Sequence, residues 1–392
     1  MSLKIKGALV ASLLPVLFAP GLAAAGDSTV TLSMMTGAMY DTNVELVPES
    51  MHHECFRLDA SKCGGDYVLT LSPRIDLMNE QKNYSLDFQY SPTGYAYLGH
   101  PNLDYVSQLA SAAVTGAISP RTRFFLRDTY TYTMESLLAT TTGIQTARGA
   151  IVSNVAAVGG DHDATAKSNV AVSASDAEVW YRFPGTVSSR TDNAAVTDSY
   201  KMTDNLSVRG TYSFMNIYFD SGSNTNIQNH TVSAGFTYSA TPTVVLDVSA
   251  GAFYSPDIGQ YNWVGSASIS KTFQASTWTA SYSRGVVPTG LVAEEAINQT
   301  YTLAWTYSMT SDFDIGVSGD YAKNKTIPQT VLDVTSYDAR LGGTWRINSW
   351  ATLAAGVTHF DQWSKGGTLA GEAFSRSTIF ANLTLIPLER RF

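Results

Sequence analysis

Residues 301 to 321 alternate between two kinds of side chain. Tyr301, Leu303, Trp305, Tyr307 and Met309 interleave with Thr302, Ala304, Thr306 and Ser308; after Thr310-Ser311, Phe313, Ile315, Val317 and Tyr321 interleave with Asp312, Asp314, Ser318 and Asp320. A period of two is that of a strand. One face is apolar and ends in aromatics while the other carries carboxylates and hydroxyls, an arrangement suited to lipid outside and water inside. The composition agrees with this. Only 15% of the 392 residues are charged, against about 25% in soluble domains. Mean hydropathy is nonetheless close to zero, and past residue 25 there is no apolar run of the roughly 18 residues a spanning helix needs. A helical membrane protein is thereby excluded. What remains is a closed barrel, in which lipid-facing and lumen-facing residues cancel in any average.

The same alternation predicts an all-β chain, a transmembrane antiparallel up-and-down β-barrel of about 16 strands. They run near 29–40, 67–77, 83–92, 103–118, 122–134, 190–201, 206–219, 227–240, 243–254, 259–273, 276–286, 297–309, 312–324, 332–346, 350–362 and 373–387. Links after even strands are short and links after odd strands include every long one, the rhythm of periplasmic turns and extracellular loops. Aromatics cluster at both strand ends: Tyr238, Phe273, Trp278 and Trp345 at the periplasmic side, Tyr130, Tyr218, Tyr261 and Tyr301 at the outer side. Two girdles follow.

Lys4 and Lys6, the apolar stretch 8–18 and Ala23-Ala24-Ala25 have the form of a signal peptide over residues 1–25, leaving 26–392 as the barrel. The acidic balance, 33 Asp and Glu against 25 Lys and Arg, argues against a nucleic-acid partner.

The chain ends in Phe392 after an alternating strand, Thr378 to Leu385. A terminal aromatic closing the last strand looks like the assembly signal of bacterial outer-membrane proteins, and the chain resembles the porin-like outer-membrane β-barrel class. It departs from that pattern at Pro387 and at Glu389-Arg390-Arg391. The tracts Met39 to Val44 and Leu71 to Leu77 also resemble barrels encoded near exopolysaccharide or exosortase systems. The resemblance implies the cell outer membrane of a Gram-negative bacterium, with lipid, lipopolysaccharide and the barrel-assembly machinery as partners. A homo-oligomer or an exported partner protein is compatible with it.

With apolar faces outward, the lumen inherits Arg74, Asp76, Asp87, Arg123, Arg127, Arg209, Asp247, Asp312, Asp314, Asp320, Asp338, Arg340 and Arg346. Facing charges of both signs could filter solutes by a transverse field; any wide, wet barrel would also be polar inside. Residues 135–189 form the longest expected connection, a third extracellular loop. Two fates stay open for it: folding into the lumen, as the third loop of general porins does, or lying outside as a small, polar segment. Within it, Gly160-Asp161-His162-Asp163 reads as a solvated loop tip more readily than as a cation site.

Cys55 and Cys63 lie in the first outer loop. In an oxidising envelope they read as a disulfide, with a metal site including His52 and His53 as the rival. No metal or other cofactor is expected. Catalysis has little basis: His230 and His359 have no His-x-Ser neighbour, and His359 with Asp361 is a weak pair for an outer-rim protease. The expected function is a non-enzymatic channel or export conduit passing polar solutes or a polymer. Two alternatives stand beside it, a barrel housing an exported partner such as a multihaem cytochrome and a barrel whose long loop binds surfaces.

Overall fold

A computed structural model describes residues 27–46, 64–135, 142–146, 148–220, 226–327, 331–367 and 373–391. Its eighteen strands are β1 Asp27–Asp41, β2 Asp66–Glu80, β3 Tyr84–Tyr97, β4 Tyr105–Ser119, β5 Thr122–Thr133, β6 Ile151–Asp163, β7 Ser168–Tyr181, β8 Ser188–Lys201, β9 Leu206–Asp220, β10 Asn226–Thr241, β11 Val244–Ser255, β12 Gln260–Thr272, β13 Ser276–Pro288, β14 Glu295–Ser308, β15 Phe313–Thr326, β16 Leu332–Asn348, β17 Ala351–Gly367 and β18 Phe374–Arg391. Each pairs antiparallel with its neighbours in sequence, and β1 pairs with both β2 and β18. The sheet therefore closes on itself, which satisfies the backbone groups that lipid cannot.

A strand of 14 residues such as β3 rises about 3.3 Å per residue, so at a tilt near 40° it spans roughly 35 Å, enough to cross an apolar band of about 25 Å. Turns at the periplasmic end hold no more than four residues each. Their own side chains close them: Thr203 Oγ1 accepts from the Asn205 and Leu206 amides at 3.3 and 3.0 Å, and Asn348 Oδ1 accepts from the Trp350 amide at 2.9 Å. Such local acceptors favour a turn over continued ladder.

The outer wall exposes large apolar side chains along its whole girth, among them Val232 (63% exposed), Leu303 (55%) and Ile379 (61%). A soluble protein would not carry such a belt. Rings meet at a tilt along its two borders, Trp278 against Trp305 at 5.5 Å below and Tyr282 against Tyr301 at 4.8 Å above. The closed ladder, the belt and the two girdles make this a membrane-spanning barrel of the outer membrane.

Two expectations are corrected. The barrel has eighteen strands rather than about 16, because residues 135–189 are not one loop: they contain β6 and β7. These strands escape recognition because both faces are small. Ala156, Ala157, Gly159 and Gly160 on β6 and Ala171, Ser173, Ala174 and Ser175 on β7 give an alternation of little amplitude. The tract Gly160-Asp161-His162-Asp163 accordingly ends a strand on the periplasmic side and is no loop tip. The expected signal peptide, His52, His53, Cys55, Cys63 and Phe392 lie outside the described residues.

Candidate functional site

Counting by twos along the registers gives the inner face of each strand. Arg74, Asp76, Asp87, Arg123, Arg127, Arg209, Asp247, Asp314, Asp320, Asp338, Arg340 and Arg346 fall on it. Asp312 does not: it sits in the periplasmic turn between β14 and β15. Nine of these twelve inner charges are cancelled along the wall. Arg74 reaches Asp76 two residues on, at 2.6 Å, and Arg209 makes a two-pronged contact with Asp247 at 2.7 and 2.6 Å, with Thr237 Oγ1 donating to the same carboxylate. Arg123 pairs with Asp161 and Asp163, Arg340 with Asp338, and Arg346 with Asp314. Arg123, Arg340 and Arg346 side chains are more than half exposed, so the lumen is wet and each pair contributes at most about 1 kcal/mol. Among the described residues Arg127, Asp87 and Asp320 have no ion-pair partner; Asp320 accepts from Thr302 Oγ1 at 2.7 Å, and the Arg127 guanidinium lies 5.2 Å from the Phe125 ring.

This has a consequence for ion selectivity. Removing a cancelled pair, Arg209→Ala together with Asp247→Ala, should leave the reversal potential across a salt gradient where it was. Arg127→Ala alone should move the permeability ratio towards cations by roughly two-fold, since uncancelled charge sets the sign of the permeant ion.

Described parts of the connection between β5 and β6, residues 134–135, 142–146 and 148–150, line the outer mouth. At its base Glu135 is buried and accepts from Arg376 of β18 and, at 3.1 Å, from Arg148. Arg376 also clamps Asp41 of β1 with Nε at 2.9 Å and Nη2 at 2.6 Å. Arg148 donates to the Val44 carbonyl at 2.8 Å and to the Tyr97 hydroxyl, its guanidinium 4.7 Å from that ring. Two carboxylates and two guanidinium groups thus form one neutral, buried chain. Burial alone would raise the Glu135 carboxyl, but Arg376 and then Arg148 outweigh it and hold the group below the usual carboxylate range. Burial likewise opposes the Arg148 charge, and Tyr97 and Glu135 more than restore it.

Beyond this base the segment 142–146 is held by the opposite wall. The Thr142 carbonyl accepts from Asn298 Nδ2 at 3.1 Å and Asn324 Nδ2 at 2.9 Å. The Gly143 carbonyl accepts from Ser336 Oγ at 2.6 Å, and Gln145 exchanges backbone N–H and C=O with the Gln362 amide at 2.8 and 3.0 Å. Ile144 packs on Leu332, Val334 and Leu291. Gly143 takes φ +70°, and an added Cβ would sit 2.8 Å from Ala322 Cβ, so glycine is required where the segment turns against the wall. In an 18-strand ring β15 lies directly opposite β6, so 142–146 sits across the lumen from the strand that follows it.

A second element enters the mouth. The outer end of the β13–β14 hairpin leans inward: Val286 and Ala293 pack on Ile217, Phe219 and Ile227 of the inner wall, and Asn229 Nδ2 donates to Glu295 Oε2 at 2.6 Å. The Val187 amide donates to the Gly290 carbonyl at 2.8 Å.

His162, His230 and His359 fall on the outward face. His359 faces outward and its Nδ1 meets Ser377 Oγ at 2.8 Å, while Tyr337 donates to Asp361 at 2.8 Å and lies 3.2 Å from His359 Nε2. The serine comes from the neighbouring strand, so no local motif reveals it. Its own amide is taken by Thr42 Oγ1 at 2.8 Å, which removes the nearest donor for an oxyanion. None of the mouth residues Asn298, Asn324, Ser336 or Gln362 stands out in the sequence. The one signal for them is an amide or, on β16, a hydroxyl at an inner-face position near the outer end of four successive strands.

No protein-family model matches the chain, and no curated protein matches it. Solved structures similar to it include Acinetobacter baumannii OccAB4, at 11% identity over 95% of this chain and 100% of that one, TM-score 0.46. Pseudomonas aeruginosa OccK5 (OpdH) is similar at 10% identity, covering 92% and 98%, TM-score 0.48. The siderophore receptor PirA of the same species is similar at 10% identity, covering 91% and 80%, TM-score 0.45.

Proposed function

We propose that the chain is a passive outer-membrane channel for small polar solutes, without catalysis, whose width is set at the outer mouth by residues 134–150. The observation that carries this reading is the anchoring of 142–146 on the wall opposite its own strands. A segment held across a lumen narrows it, and the wall below remains wet, hydroxyl-rich and locally neutral. Those properties suit uncharged or zwitterionic solutes better than a strongly charged one. The same crossing leaves less room for an exported polymer or a sheathed cytochrome, and it turns the connection away from a surface-binding role.

Lipid, lipopolysaccharide and the assembly machinery are the partners such a belt would meet. A Cys55 to Cys63 disulfide in the first outer loop would be dispensable for the barrel. The test of function is single-channel recording of the refolded protein in planar bilayers, together with swelling of liposomes in neutral sugars. Discrete conductance steps and sugar entry are expected. A correctly assembled barrel that passes neither ions nor sugars would overturn the reading.

A further inference from the structure

The outward face of the wall changes character between β5 and β9. Lower down it is apolar, with Val158 and Val172 52% and 54% exposed. Higher up, by the same count of alternate positions, one outward rung runs through Asp128, Asp176 and Asp192, and the next through Tyr130, Glu178, Arg190 and Tyr218. The Arg190 guanidinium is shared: it lies 2.5 Å from Asp176 and 3.1 Å from Asp192, with Glu178 at 3.9 Å. Asp128 has no ion-pair partner among the described residues. One of its oxygens accepts from Asn154 Nδ2 at 2.8 Å, and the other is buried without a hydrogen bond. Even with Arg182 counted, just past the end of β7, acids outnumber cations on this wall.

Tyr130 and Tyr218 belong to the outer girdle, so the lipid neighbours at this height are lipopolysaccharide headgroups, whose phosphates carry the same sign. Like charges brought together are penalised, and this wall therefore suits a cationic partner rather than lipid. The chain itself carries the complement. On β13 and β15 the outward face presents Arg284, Lys323 and Lys325, none with an ion-pair partner among the described residues. The Arg284 guanidinium lies 4.5 Å from the Trp263 ring, and Asp333 stands opposite Lys325 in register without pairing with it. The heights match. Asp176 and Asp192 stand eight and nine residues above the periplasmic ends of their strands, Arg284 and Lys323 eight and ten.

We infer that the barrel associates with further copies of itself through these two unlike walls, the carboxylates of β5–β8 on one copy against the cations of β13–β15 on the next. Both copies stand the same way up in one membrane, which brings the two walls level. The middles of the walls, β7 and β14, are seven strands apart in the ring of eighteen, on the order of 140°, whereas the two contact faces of a closed trimer subtend about 60°. The contact accordingly propagates as an open row or wide arc. It is independent of what the lumen passes.

The full-length barrel, half of it labelled with heavy nitrogen, would be reconstituted in phosphatidylcholine liposomes containing lipopolysaccharide. A chelator keeps divalent cations from bridging acids to headgroups, and a carbodiimide then joins carboxylates directly to amines. A bond from Lys323 or Lys325 to Asp176, Glu178 or Asp192 cannot form within one copy, because the two walls are on separate parts of the ring. Linked peptides with one light and one heavy member are expected, together with a ladder of dimers and larger species. Lys323→Glu with Lys325→Glu, and separately Asp176→Lys with Asp192→Lys, should each weaken the ladder by roughly five-fold or more. Mixing the two variants should restore it, since each then offers the sign the other lacks. A barrel that stays monomeric at every protein-to-lipid ratio, or that stops at a closed trimer, overturns the inference, as do links confined to other faces. So does lipopolysaccharide that shields Lys323 and Lys325 from acetylation with no dimer present, which would make the basic wall a headgroup site. The linkage map of the unaltered protein decides between these outcomes even where a variant fails to assemble.

Discussion

Replacing residues 136–147 with a short Gly/Ser linker, with Glu135 and Arg148 kept, should raise single-channel conductance several-fold. A short linker has no backbone groups placed for Asn298, Asn324, Ser336 and Gln362, so nothing holds it across the lumen. The strands are closed by their own ladder, and the barrel should still assemble, as judged by the different migration of heated and unheated protein on a detergent gel. Unchanged conductance in an assembled variant would show that the narrowest point lies elsewhere. The single replacement Gln362→Ala should move in the same direction by less, because it removes two of the hydrogen bonds and leaves three.

The second large effect is expected at Arg376. Its guanidinium is the shared partner of Asp41 and Glu135, both buried. Arg376→Met leaves two carboxylates facing each other without it, and breaking a buried pair in this way costs about 3–5 kcal/mol. In urea titration in detergent the midpoint should fall clearly, and in bilayers the steady conductance should give way to flicker between a low and a higher level. The same linkage fixes a pH dependence. The folded Glu135 carboxyl lies below its ordinary value, so its contribution is fully present above the unfolded pKa of about 4.3 and is lost as pH falls through the lower, folded value. The mouth should therefore stay latched at neutral and mildly acid pH and open only below roughly pH 4. A transition near pH 6 would assign the control to another group.

The barrel was legible in the sequence wherever its two faces differ strongly in size and polarity, as on β14 and β15, where Trp305 and Tyr307 alternate with Thr306 and Ser308. On β6 and β7 both faces carry Ala, Ser, Gly and Val, and nothing in the pattern separates such a strand from a polar loop. Which charges point inward follows from parity, because a strand has only two faces. Which charges cancel does not, since Arg209 and Asp247 meet across an intervening strand and no spacing rule along the chain connects them. The mouth was least legible. Its anchors are neutral amides and a hydroxyl, ordinary for an inner wall, and they act as a set only because 142–146 arrives from the far side. Crossing of the lumen was one of two open fates for a segment whose true length, 134–150, was hidden by the two unrecognised strands.

The latch also bears on the order in which the molecule comes together. Glu135 and Arg376 are separated by 241 positions, and Gln145 and Gln362 by 217, whereas the hairpins of the wall join neighbours. Contacts that distant form late, after loop closure has been met by nearer pairings. Arg376 lies on β18 and Asp41 on β1, so their shared carboxylate site does not exist until the first and last strands have met. Because β1 and β18 are themselves the most distant partners, the Asp41–Arg376 part of the latch is expected to form only with closure of the wall. For a channel of the proposed kind, the last strand to join the wall is then also the one that brings the mouth's anchoring cation into place.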